Sequence, residues 1–99
     1  MDIIEIKKKL NDNISHIKKN FQVKEIGIFG SFARGGYFVH KESDIDILVS
    51  FNKGHKDFFN YMRLKNYLEN LLGKEVDLVI KDAVKPRLKE KIFNEVQYV

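Results

Sequence analysis

Three aspartates in apolar surroundings are the residues best suited to chemistry in this chain. Asp44 and Asp46 stand two apart in a run that continues Ile47-Leu48-Val49, and Asp77 stands in a second run, Val76 to Ile80. Such runs are typical of buried strands, on which residues i and i+2 point to the same face with backbones about 6.6 Å apart. Carboxylates placed together resist ionisation unless a cation neutralises them. The pattern therefore predicts a metal site.

The type of ligand narrows the choice of metal. Oxygen ligands favour magnesium or manganese over zinc. An EF-hand loop also contains Asp-x-Asp, but Asp44 and Asp46 are followed by aliphatic residues and not by the glycine and closing glutamate of that loop. A charged strand end or a local cap, with no ligand, is the remaining alternative for these two residues.

A glycine and a serine precede the aspartates and could bind an anion. Gly30 ends an apolar strand pattern and Ser31 begins a short helix. Glycine lets a phosphate approach the backbone, and the first N–H groups of a helix are unpaired donors. A plain turn with a capping serine explains the same dipeptide. Arg34 could reach a phosphate or pair with a carboxylate, and Ser43 could brace the aspartates.

Hydrophobic periodicity predicts the elements that would position these residues. An amphipathic helix is predicted over roughly residues 2–20, and a short helix over 32–34 is capped by Ser31 and ended by Gly35-Gly36. Strands are predicted over residues 23–29, 44–51 and about 75–80, a turn over 52–54, a helix from Asp57 to a cap at Gly73, and a last helix from Pro86. Tyr98-Val99 either ends that helix or adds an edge strand. The result is an α/β (α+β) fold, a small mixed sheet flanked by helices.

Composition limits the class of protein. The 99 residues predict a single domain over residues 1–99, and a hydrophobic content of 43% excludes a disordered chain. No apolar run reaches the roughly 20 residues of a membrane span, so we expect no membrane association. The start of the chain lacks the features of a secretory signal, and the absence of cysteine excludes disulfides and thiolate zinc sites. Together these features favour the cytoplasm. The net charge of +4 is compatible with a polyanionic partner but does not identify one.

Five segments together carry a resemblance to a known family. They are residues 30–35, 43–49, 76–79, 85–88 and 95–99, which read GSFARG, SDIDILV, VDLV, KPRL and EVQYV. In this combination the chain resembles the minimal nucleotidyltransferases of the DNA polymerase β superfamily. The resemblance covers nearly the whole chain.

The resemblance implies a site and a reaction. Gly30 and Ser31 would hold the triphosphate of ATP, with Arg34 and Ser43 as further nucleotide contacts. Asp44 and Asp46 would bind two Mg²⁺ ions, and Asp77 would complete the catalytic and metal site. The basic residue Arg87 also matches a family position.

The family's smallest members imply a partner as well. The chain is similar to the antitoxin half of toxin–antitoxin pairs, whose activity is transfer of AMP to a tyrosine of a HEPN-domain ribonuclease encoded by the adjacent gene. A hetero-oligomer is therefore expected. A non-catalytic module that neutralises the same partner by forming a complex is the alternative. Direct nucleic-acid binding is disfavoured, because the chain has no aromatic platform or basic stripe.

One segment departs from the family pattern. Seven residues, Gly36 to Glu42, separate Gly35 from Ser43, where close relatives have about five. Three of them, Tyr37, Phe38 and Val39, are apolar. They could pack on the domain, cover a nucleotide base or contact a partner, and packing is favoured.

Overall fold

A mixed sheet with helices on both faces organises the chain. The structure, a computed structural model, describes residues 1–35 and 44–99. Its helices are α1 (Ile3–Asp12), α2 (Ile14–Phe21), α3 (Gly30–Arg34), α4 (Phe58–Leu72) and α5 (Pro86–Glu95). Its strands are β1 (Val23–Phe29), β2 (Ile45–Phe51), β3 (Val76–Ile80) and β4 (Gln97–Tyr98), and a short 3-10 helix, Lys81–Ala83, follows β3. The strand order is β3-β2-β1-β4.

The strand directions bring distant segments to one end of the sheet. β1 is antiparallel to β2, so the end of β1 lies beside the start of β2, and Phe29 pairs with Asp46. β2 and β3 are parallel, and Asp46 pairs with Asp77. Gly30 and two of the three predicted aspartates therefore meet at the same end, although they are far apart in sequence.

The two faces of the sheet have different roles. Alternate residues of β2, Ile45, Ile47 and Val49, are buried in the main core, which includes residues of α1, α2 and α4. Leu48 lies on the opposite face in a smaller cluster with Phe29, Val84 and Ile92 of α5. Because side chains alternate along a strand, Asp46 shares the face of Leu48. We call this the α5 face of the sheet.

Most elements with strong local signals are confirmed. α4 begins after Asp57, whose Oδ1 accepts the backbone N–H of Asn60 at 2.9 Å, and ends at Gly73 with φ 69°. Pro86 stands in the first turn of α5. Of the two alternatives for the C-terminus, the edge strand is confirmed, because Tyr98 pairs with Gly27 in an antiparallel strand.

The single helix predicted over residues 2–20 is wrong, because the structure has two helices that meet at Asn13. The Asn13 side chain donates to the carbonyl of Lys9 at 2.8 Å, and its backbone leaves helical geometry with φ −114°. Asparagine side chains compete in this way with the helical backbone. The apolar stripe itself is confirmed, since Ile6, Leu10, Ile17 and Phe21 are all buried.

The predicted capping role of Ser31 is also wrong. α3 begins at Gly30, the cap position is occupied by the extended Phe29, and no side chain caps the helix. Gly30, with φ 72°, directly follows β1 as the first residue of α3, so Ser31 lies inside the helix. The predicted end at Gly35 is confirmed, with its N–H donating to the Ser31 carbonyl at 2.8 Å. The expectations for Gly36, the apolar loop and Ser43 fall outside the described residues.

We expect Asn60→Ala to destabilise the fold by about 2 kcal/mol, because Asn60 is buried and its amide satisfies two carbonyls. It donates to Phe21 at 2.7 Å and to His55 at 3.0 Å, joining α4 to the end of α2. Urea unfolding measures the effect. Asn66→Ala, at an exposed position of α4, is the control. Equal midpoints for the two variants would show that the buried amide contributes nothing.

Candidate active site

Asp46 and Asp77 form a close acidic pair at the end of the sheet. They are register partners on adjacent parallel strands, and their carboxyl groups lie within hydrogen-bonding distance of each other. Burial, then the charge of Asp77, and then that of Asp44 raise the pKa of Asp46 from its ordinary 3.8 to about 6. Arg34 acts in the opposite direction but does not cancel the rise. Burial and the neighbouring carboxyl groups together therefore outweigh the charge of Arg34 at this position.

Asp44 extends the acidic character of the site without closing it. It is exposed and directly precedes β2, and its charge acts on Asp46. Within residues 1–35 and 44–99, however, no three acidic, histidine or cysteine side chains converge tightly enough to hold a metal ion. The structure thus brings Asp46 and Asp77 together with Asp44 nearby. Their role as metal ligands stays a prediction, although clustered carboxylate oxygens are the donors that Mg²⁺ prefers.

Gly30 packs directly on the Asp46 carboxylate. With φ 72°, it adopts a conformation that side-chain-bearing residues rarely take. A Cβ built at this position would overlap the Asp46 carboxylate, lying 2.8 Å from its Cγ. Glycine is therefore required both by the backbone conformation and by the approach of the carboxylate.

Glu95, at the end of α5, contacts the residues at the same end of the sheet. Its Oε2 accepts the Gly30 N–H at 3.1 Å, and its Oε1 accepts the Arg34 guanidinium at 2.6 Å. Glu95 belongs to one of the segments that carry the family resemblance, but the sequence pattern predicts no role for it. One sequence feature could have pointed to Glu95. It stands three residues after the buried Ile92 and beside Val96, a position where a fully solvated acid is not expected.

A cavity of about 270 Å³ opens at this corner, on the α5 face. Charged side chains of both signs line it, together with Gly30 and Leu88: Arg34, Asp46, Lys91 and Glu95. Pockets for whole ligands span roughly 300–1,000 Å³. The cavity is thus of a size to take part of a nucleotide.

The remaining candidate residues are placed less directly. Ser31 is half-buried within α3, and Ser43 lies outside the described residues. Arg87 is exposed in the first turn of α5 and does not line the cavity.

No helix in the described ranges is long and apolar enough to cross a membrane.

Comparison with known proteins places the chain in a family. The model of the nucleotidyltransferase domain family matches residues 4–99. A candidate protein adenylyltransferase of Methanocaldococcus jannaschii is 44% identical, with 98% of this chain and 97% of that protein covered. The protein adenylyltransferase MntA of Thermococcus cleftensis is 39% identical, with 96% and 93% covered.

Solved structures agree in fold. A candidate minimal nucleotidyltransferase superposes with a TM-score of 0.82 and 33% identity, over 98% of this chain and 95% of that one. A toxin–antitoxin structure with AMP-PNP gives a TM-score of 0.68 and 28% identity, over 99% and 72%. The predicted mixed sheet flanked by helices is confirmed. With a family model matched over almost its full length, the chain belongs to the nucleotidyltransferase domain family.

Proposed function

We propose that the chain is a protein adenylyltransferase that transfers AMP from ATP to a hydroxyl group, a tyrosine of a HEPN ribonuclease toxin encoded by the adjacent gene. The observation that carries the proposal is the acidic pair Asp46–Asp77 packed against Gly30 in a member of the nucleotidyltransferase family. The names of the relatives support protein as the acceptor. The toxin–antitoxin neighbour with AMP-PNP supports both a toxin partner and an ATP-like donor.

The acidic residues would serve the transfer itself. Asp44, Asp46 and Asp77 would hold two Mg²⁺ ions, which when bound neutralise phosphate charge and acidify the acceptor hydroxyl. The acceptor oxygen bonds to the α-phosphorus as the bond from that phosphorus to the bridging oxygen breaks, and pyrophosphate leaves. Asp77 is exposed where Asp46 is half-buried, so it would lie nearest the acceptor. It would act there either as the base that receives the hydroxyl proton or as a metal ligand, in which case the proton leaves to water.

The residues around Gly30 would hold the donor. Because Gly30 has no side chain, a phosphate can approach its backbone closely. Arg34 lines the cavity beside Asp46 and would contact the same triphosphate. Ser31 on α3 and Ser43 before the acidic motif complete the proposed set.

The central test is the intact mass of the adjacent-gene protein after incubation with this chain, Mg²⁺ and ATP. We expect a gain of one or more adenylyl units. Asp44→Asn and Asp46→Asn should each slow transfer at least about 100-fold, since several kcal/mol of transition-state stabilisation are lost. Asp12→Asn, which alters only an exposed ion pair with Lys8, is the control.

The outcomes of this test separate the candidate functions. A stable complex without any mass gain would favour a binding module that neutralises the partner by contact. If neither a complex nor a mass gain is observed, the proposed acceptor is overturned. Full transfer by both asparagine variants would overturn the assignment of the aspartates.

Charge repulsion at the acidic pair gives a prediction about stability. With a chelator at pH 7.5, we expect Asp46→Asn to stabilise the fold, because it removes one charge from the repulsive pair. Solvent screens part of this repulsion at a half-exposed carboxyl, so the expected gain is about 1 kcal/mol. The folded wild type holds the Asp46 proton up to about pH 6, whereas the unfolded chain releases it near 3.8. The folded state thus binds more protons in between, and wild-type stability falls as the pH rises through this window.

Thermal unfolding of both proteins from pH 3.5 to 7.5 measures this effect. We expect the gain of Asp46→Asn to disappear at the acidic end of the range. Added Mg²⁺ should raise the melting temperature of the wild type and leave that of Asp46→Asn nearly unchanged. Equal stabilisation of the two proteins by Mg²⁺ would place the metal elsewhere.

Gly30→Ala should reduce transfer at least about tenfold and destabilise the fold by about 2 kcal/mol, because the added Cβ displaces the Asp46 carboxylate. Gly73→Ala is a matched control, since Gly73 has a similar φ of 69° with no atom within 4 Å of the added Cβ. It measures backbone strain alone. Transfer by Gly30→Ala at the rate of Gly73→Ala would show that the contact with Asp46 is not needed.

A further inference from the structure

Glu95 is the side chain that joins the last helix to the candidate site. We propose that Glu95 is a positioning residue, which fixes the Gly30 backbone and the Arg34 guanidinium beside Asp46 and so pre-forms the place where the triphosphate of Mg²⁺–ATP binds. The inference deepens the proposed function and rests on it. No role of this kind follows from the sequence pattern, which treats Gly30 and Arg34 as parts of a local turn and helix.

Each carboxylate oxygen of Glu95 has a separate partner. Oε2 accepts the Gly30 N–H at 3.1 Å and Oε1 accepts Nη1 of Arg34 at 2.6 Å, across 65 and 61 residues of sequence. The Glu95 side chain is only 16% exposed. Hydrogen bonds to an ionised, poorly solvated carboxylate are short, directional and stronger than neutral ones. Glu95 therefore fixes two groups of α3 at once, and does so from outside that helix.

Gly30 is the residue for which such a restraint has the largest effect. Glycine has the widest choice of backbone conformation, and here it must hold φ 72° in contact with the Asp46 carboxylate. The hydrogen bond from its N–H to Glu95 fixes the orientation of the peptide group between Phe29 and Gly30. The contact between Gly30 and Asp46 therefore depends on a residue of α5.

Arg34 is restrained by the same carboxylate. An arginine side chain loses considerable rotamer freedom when it is fixed in one position. The ion pair with Glu95 takes that cost in the free protein, before any ligand arrives. Arg34, Asp46, Gly30 and Glu95 all line the same cavity of about 270 Å³. The restraint thus acts at the surface that a phosphate would contact.

The test is the affinity for ATP in the presence of Mg²⁺, measured by calorimetry, which needs no acceptor protein. Glu95→Gln keeps an oxygen for the Gly30 N–H and removes the charge that fixes Arg34, and we expect its Kd to rise at least fivefold. Glu95→Ala removes both bonds and should raise the Kd further. Glu25→Gln is the control, because Glu25, like Glu95, pairs with a basic side chain. Its partner is Lys81, at the opposite end of the sheet. Its Kd should stay within twofold of the wild type.

A double variant separates positioning from a purely structural role. If Glu95 acts through Arg34, then adding Glu95→Gln to Arg34→Gln should weaken binding by less than it does in the wild type. Urea unfolding of each variant identifies any loss that comes from unfolding. Additive effects of the two substitutions on the Kd would overturn the coupling.

The outcomes also distinguish this inference from the proposed function. A wild type that binds no ATP overturns the proposed function, and the positioning role with it. A wild type that binds ATP, with Glu95→Gln unchanged relative to Glu25→Gln, overturns the positioning role alone. Tighter binding by Glu95→Gln overturns it as well, because Glu95 would then be competing with the triphosphate.

Discussion

The main physical constraint on the site is the repulsion between two carboxyl groups that lie side by side on parallel strands. Asp46 and Asp77 are paired by the register of β2 and β3, so the sheet itself enforces their proximity. Burial and neighbouring negative charge then make ionisation of Asp46 unfavourable. A fold can tolerate this cost only if the rest of the chain is stable without those residues. The acidic pair thus lowers the stability of the fold, and the packing of the other elements must offset this loss.

The division of the sheet into two faces provides this tolerance. The main core, with fully buried residues such as Ile6, Ile47 and Leu64, holds α1, α2 and α4 against one face. The α5 face has a much smaller apolar cluster, which leaves room for charged groups at its end. Stability and chemistry are thereby separated by the alternation of side chains along β2, with Ile45 and Ile47 on one face and Asp46 on the other.

The sequence predicts this arrangement where the physical cause is local. Four such features depend on neighbours within a few residues, and all are confirmed. They are the two strands that carry Asp46 and Asp77, the cap at Gly73 and the start of α5 at Pro86. Local rules fail at Asn13, where the side chain competes with a helix that periodicity alone would continue.

Contacts between distant segments set the limit of such predictions. Ser31 is a good capping residue, yet α3 begins one residue earlier, at Gly30, which packs against Asp46, and Ser31 therefore lies inside the helix. Glu95 is an ordinary helical residue until α5 docks beside α3. Its two bonds cross more than 60 positions, and no local pattern contains them.

The charge balance of the site likewise exists only after folding, because the charged residues come from distant segments. Among the residues that the structure describes around the cavity and the acidic motif, the carboxylates of Asp44, Asp46, Asp77 and Glu95 outnumber the cations Arg34 and Lys91. At neutral pH this excess of negative charge would repel a bare triphosphate. The proposed function therefore requires nucleotide and divalent cation to bind together, each making the binding of the other more favourable.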